Sequence, residues 1–62
     1  MARYYVMNEA KTYRRVIDAP TGFEARSIVA RAHSKKAYEF IAIRKDLMTD
    51  IEWKIWDRIV NK

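Results

Sequence analysis

DAPTGFEARS, residues 18–27, decides how the chain is read, because it holds the only proline and the only glycine among 62 residues. Pro20 has no backbone N–H to give to a sheet, so it ends a strand. Thr21 stands three residues before Glu24. At that spacing a threonine hydroxyl accepts from the N–H of the third helical residue, and the glutamate carboxylate returns to the threonine N–H. A carboxylate there also suits the positive end of a helix dipole. The stretch predicts a strand that stops, a passage eased by Gly22, and a helix that begins. Its competing reading is an anion site, with a phosphate held by the Gly22 and Phe23 amides and by Arg26. A Walker-type phosphate loop needs several glycines and a Lys-Ser/Thr pair. Glu24 also competes with an anion for the same position, so the junction reading is preferred.

Working upstream, RYYVM (Arg3–Met7) is aromatic and β-branched and reads as a strand. NEAK (Asn8–Lys11) is a short polar connection without the Asn-Gly or Asp-Gly signature of a tight hairpin. TYRRVIDA (Thr12–Ala19) is a second strand. There Tyr13, Arg15 and Ile17 share one face, and Arg14, Val16 and Asp18 the other.

Downstream, the first helix is predicted to run to about Ser34, with Ala25, Ile28, Val29 and Ala32 in one narrow apolar arc of small side chains. AYEFIAIRK (Ala37–Lys45) is a third strand. Tyr38, Phe40 and Ala42 lie on one face and Ile41 and Ile43 on the other, the pattern of a strand that is covered on both sides or central. A second capping spacing, Thr49 and Glu52, opens a last helix. Its Ile51, Trp53, Ile55, Trp56, Ile59 and Val60 spread over roughly 200° of the wheel. The order is β-β-α-β-α. Placing the third strand beside the first gives a three-stranded antiparallel sheet of order 2-1-3, in keeping with a right-handed crossover. The expected class is α+β, with one helix packed on the sheet and an amphipathic C-terminal helix, in a single domain over residues 1–62.

Composition narrows the function. Half of the residues are apolar and eight are aromatic, so the chain can build a core, although chains this short bury only about 60% of the surface that the unfolded form exposes. There is no cysteine, hence no disulfide and no thiolate metal site. No apolar h-region follows the charged start, and no apolar run approaches the ~18 residues of a membrane span. A cytoplasmic protein without a membrane partner is expected. The net charge is +5, and it is uneven: residues 1–45 carry ten Lys/Arg against four Asp/Glu, residues 46–62 three against four. Such a field favours polyanions or acidic protein surfaces.

Catalytic chemistry finds little purchase. His33, the single histidine, sits late in a helix where it suits the negative end of the dipole, with no partner for a dyad. The carboxylates Glu9, Asp18, Glu24, Glu39, Asp46, Asp50, Glu52 and Asp57 show no metal-ligand spacing, and Ser27 and Ser34 lack a base. A non-enzyme without cofactor or metal is expected.

Three basic pairs remain: Arg14-Arg15, Lys35-Lys36 and Arg44-Lys45, interleaved with Tyr13, Tyr38 and Phe40. Cations beside aromatic rings can hold phosphates while bases stack. Neighbours on a strand point to opposite faces, so a strand pair cannot put both charges on one surface. The alternative for these residues is a solvated surface. Trp53 and Trp56 are expected to cover the core. In the alternative, one ring anchors a partner or a second copy, making a homodimer through the C-terminal helix.

With this layout in hand, Val16–Lys45, VIDAPTGFEARSIVARAHSKKAYEFIAIRK, carries the pattern apolar-x-A-x-T/S-x-x-E-A between a hairpin and a returning strand. In this it resembles small phage-encoded host-takeover proteins, such as the phage T7 inhibitor of host RNA polymerase and some small anti-CRISPR proteins. The strand-to-helix passage is similar to that of archaeal ribosomal protein LX. The resemblance covers about half of the chain, leaves out the Trp-bearing helix and transfers no functional residue. It implies a compact binder that obstructs a host nucleic-acid-handling complex, in the host cytoplasm. The residues expected to carry binding are Arg14, Arg15, Arg26, Arg31, Lys35, Lys36, Arg44 and Lys45, with Tyr13 and Trp53. The partner is an acidic protein surface or a nucleic-acid-containing complex; the alternative is nucleic acid bound directly, with little sequence preference.

Overall fold

A computed structural model describes residues 1–59. Val60, assigned above to the apolar arc of the last helix, lies outside the described residues. Strand β1 (Ala2–Asn8) runs between β2 (Arg14–Ala19) and β3 (Phe40–Arg44), antiparallel to both, in the sheet order β2-β1-β3. Helix α1 (Gly22–Ala32) joins β2 to β3, and α2 (Asp50–Arg58) ends the described chain. The expected α+β class and strand order are both present.

The β1–β2 connection closes without a glycine. The Asn8 carboxamide oxygen accepts from the N–H groups of Thr12 (2.9 Å) and Tyr13 (3.0 Å), and its NH2 donates to the Thr12 hydroxyl at 2.9 Å. Lys11 takes a left-handed conformation, φ 57°. Asparagine can satisfy backbone in this way from its own side chain. The strand therefore starts at Arg14 rather than at Thr12. Similarly, Ala37–Glu39 form a 3-10 turn held by Lys36 N–H donating to the Glu39 carboxylate at 2.8 Å, so β3 starts at Phe40, three residues later than the pattern suggests.

Alternation along the central strand sends side chains to two separate cores. On one face Tyr4 and Val6 join Ile17, Ala19, Phe40 and Ala42 beneath Ala25, Val29 and Ala30 of α1. On the other face Tyr5, Met7 and Ile43 meet Trp53, Ile55, Trp56 and Ile59. Strand β3 thus meets α1 on one face and, through Ile43, the α2 cluster on the other, while standing at an edge with Ile41 exposed.

Helix α1 begins as expected, with the Glu24 N–H donating to the Thr21 hydroxyl at 3.1 Å. The predicted return bond from the Glu24 carboxylate is not made; that side chain borders a groove with Phe23 and Arg31 instead. The helix is also rolled relative to the expected arc. Ala25, Val29 and Ala30 are buried, whereas Ala32 is exposed and Ile28 is 39% exposed. The roll brings Gly22 onto the sheet, where a Cβ would lie 3.4 Å from the Tyr4 ring and 3.9 Å from the Ala42 methyl. Gly22 has no positive φ. Its smallness serves close approach, not a turn. Helix α2 carries the full reciprocal cap: Glu52 N–H donates to the Thr49 hydroxyl (3.3 Å) and Thr49 N–H to the Glu52 carboxylate (3.0 Å).

Candidate binding surface

The site begins where α1 ends. Ser34 adopts φ 56°, its N–H donates to the Arg31 carbonyl at 3.3 Å, and the Lys35 N–H donates to the Ala30 carbonyl at 2.8 Å. These are the two bonds of a Schellman termination, normally built on glycine. The reversal carries Lys35 and Lys36 back beside the helix they follow. Together with Arg31, Phe23, Ser27 and Ala30 they line an open groove of about 440 Å³. Phe23 is 64% exposed, and the Arg26 guanidinium lies over its ring, 5.8 Å from the centroid.

A second hollow, about 400 Å³, adjoins this groove through Lys35 and is lined by Tyr13, Thr12, His33 and Phe40 as well. The His33 ring stands edge-on to Tyr13 with centroids 4.4 Å apart, and Arg15 donates to the Tyr13 hydroxyl at 3.3 Å. Tyr13, Arg15, Arg31, Lys35 and Lys36, far apart in the sequence, come together at one end of the molecule. Lys35-Lys36 presents both charges to one groove because it lies in a turn. Arg14 and Arg15, on a strand, point to opposite faces, and both border a separate hollow of about 370 Å³ with Tyr13, Val16 and Trp56.

The other expected residues lie elsewhere. Arg14 points to the opposite face, where its guanidinium donates to the Trp56 carbonyl at 2.7 Å and lies 5.3 Å from the Trp56 ring centroid. A cation at the last turn of a helix complements the dipole, so Arg14 serves as a cap for α2. Arg44, Lys45 and Trp53 border a hollow at the far end of β3, beside Arg3. They are roughly 13 Å of strand away from the basic end. Arg44 forms a two-point ion pair with Asp46, at 2.7 and 2.6 Å. The hydrogen bond raises the Arg44 pKa and holds the Asp46 carboxyl below the usual aspartate range. Trp53 is half-buried, edge-on to Tyr5 at 5.0 Å.

Phe23 and His33 belong to this surface and were not among the expected binding residues. For Phe23 the signal was in the sequence, since a large ring opposite the apolar arc of α1 has no core to enter. Among the described residues no three His, Cys, Asp or Glu side chains converge as metal ligands would, and no helix is long and apolar enough to cross a membrane. Comparison with family models, curated proteins and solved structures finds no match for this chain.

Proposed function

We propose that the protein is a non-enzymatic binder that occupies an acidic surface of a nucleic-acid-handling protein complex, such as an RNA polymerase or a CRISPR effector, and obstructs it, in the manner of the small phage proteins it resembles. One observation carries this reading. The described residues form two ion pairs, Arg3–Asp18 and Arg44–Asp46, and neither involves Arg15, Arg31, Lys35 or Lys36 at the basic end. Arg31, Lys35 and Lys36 border the groove against a single carboxylate, Glu24, and such an excess of cations raises the local potential and steers an acidic partner into contact. The exposed Phe23 supplies an apolar anchor beside them.

Direct binding of nucleic acid is the second reading, favoured by the Phe23 ring and the Arg26 cation above it. A pull-down from the host lysate with and without nuclease separates the two, repeated with a Lys35→Glu/Lys36→Glu variant. A partner retained after nuclease and lost from the variant supports protein binding. Loss of every partner on nuclease treatment, together with a steep fall of DNA or RNA affinity with log salt, transfers the function to direct recognition.

A further inference from the structure

The two edges of the sheet are built differently. Asn8 N–H donates to the Tyr13 carbonyl and Glu9 N–H to the Glu39 carbonyl, which sets the phase of both ladders. Even-numbered residues of β1 bond to β2 and odd-numbered ones to β3, so Ile41 and Ile43 turn their backbone groups inward. Phe40, Ala42 and Arg44 turn theirs outward, where no described strand pairs with them, and of these groups the Phe40 N–H is taken by the Ala37 carbonyl. The β2 edge, RRVIDA, has three charged side chains and runs into Pro20, which are common protections of an edge. The β3 edge, FIAIR, is apolar over its first four residues and pairs with β1 in unbroken register.

We propose that a second copy of the chain pairs with this edge, antiparallel about a two-fold axis through Ala42, so that two three-stranded sheets become one of six strands. Two features select a copy of the same chain as occupant. Centred on Ala42, every outward-facing residue meets another outward-facing one, Phe40 opposite Arg44 of the second copy and Ala42 opposite Ala42, for roughly four inter-chain hydrogen bonds, since the Phe40 N–H is held by the Ala37 carbonyl. Ile41, 37% exposed, comes opposite the second copy's Ile43 in the closely spaced non-hydrogen-bonded position, forming an apolar pair twice over. The antiparallel direction also brings the segment before β3 towards the segment after it, where Tyr38 (73% exposed) and Leu47 (64% exposed) gain apolar neighbours. A two-fold contact of this kind is self-complementary and closed. It replaces dimerisation through α2, whose Trp56 and Ile59 are already spent on the chain's own sheet. It is independent of the basic end.

Sedimentation of the full chain over a range of concentrations tests the proposal. The wild type should move from monomer to dimer as concentration rises. A synthetic chain with N-methylated Ala42 removes one outward donor at the axis without touching the β1 ladder, and Ile41→Lys breaks the apolar pair. Each should raise the dimer dissociation constant by roughly tenfold or more, with the circular dichroism of the monomer unchanged. A wild type that stays monomeric at millimolar concentration overturns the proposal. So does a dimer that both variants form as tightly as the wild type does, or assembly that proceeds past the dimer.

Discussion

The two faces of the sheet are covered by helices of opposite character. On one, α1 lies close, its backbone near all three strands, because Gly22, Ala25 and Ala30 put almost nothing between helix and sheet. On the other, α2 stands off on Trp56, Trp53 and Ile59, which reach down to Tyr5 and Met7. A close helix gains backbone proximity and leaves its remaining faces free, so α1 can carry Arg26, Arg31 and the exposed Phe23. A helix held off by large rings contributes buried area, and α2 acts mainly as a cover. The proposed binding surface thus lies on the helix with the small-residue stripe.

The contrast can be broken most severely at Trp56. Trp56→Ala removes a ring 4.8 Å from Tyr5 and the platform beneath Arg14. The expected loss is about 3–5 kcal/mol, against a total stability of roughly 3–9 kcal/mol for a domain of this size. The variant should be largely unfolded at 37 °C by circular dichroism. A cooperative melt close to that of the wild type would show that α2 is not the main source of buried area.

Enlarging a small residue tests the other face. Ala25 is fully buried between α1 and the sheet, so Ala25→Leu should lower stability in urea by about 1–3 kcal/mol through overpacking. If leucine is accommodated at no cost, α1 is not closely seated. The smallest effects lie at the caps. Thr21→Ala and Thr49→Ala should each cost about 1 kcal/mol. The loss should be greater at Thr49, where the Glu52 carboxylate also answers the Thr49 N–H. Equal losses would remove the distinction between a half cap and a full one.

Much of the frame was legible in short runs of residues. Pro20, Thr21 and the spacing to Glu24 placed the start of α1, and Thr49 with Glu52 placed that of α2, because capping acts over three residues. Alternation showed that Arg14 and Arg15 part company. It could not show that Arg14 ends at the carbonyl of Trp56, 42 residues away. The turn that aims Lys35 and Lys36 was hidden for another reason: Ser34 occupies the left-handed position where a sequence reader looks for glycine. The half-made cap at Glu24 was equally out of reach, since the groove its side chain borders is made partly by residues after the helix.

The sequence by itself determined the element order, the class, both cap threonines and the concentration of positive charge in the first 45 residues, and it favoured the strand order without fixing it. These follow from interactions between residues within a few positions of each other, and from the handedness of the crossover. Only the tertiary structure decided how α1 is rolled, which cations gather and which become structural. Those outcomes depend on contacts between distant segments: Gly22 on Tyr4, Tyr13 on His33, and Arg14 on Trp56. A wheel or an alternation pattern names the faces of an element. What lies against each face is settled by the shape of the sheet beneath it.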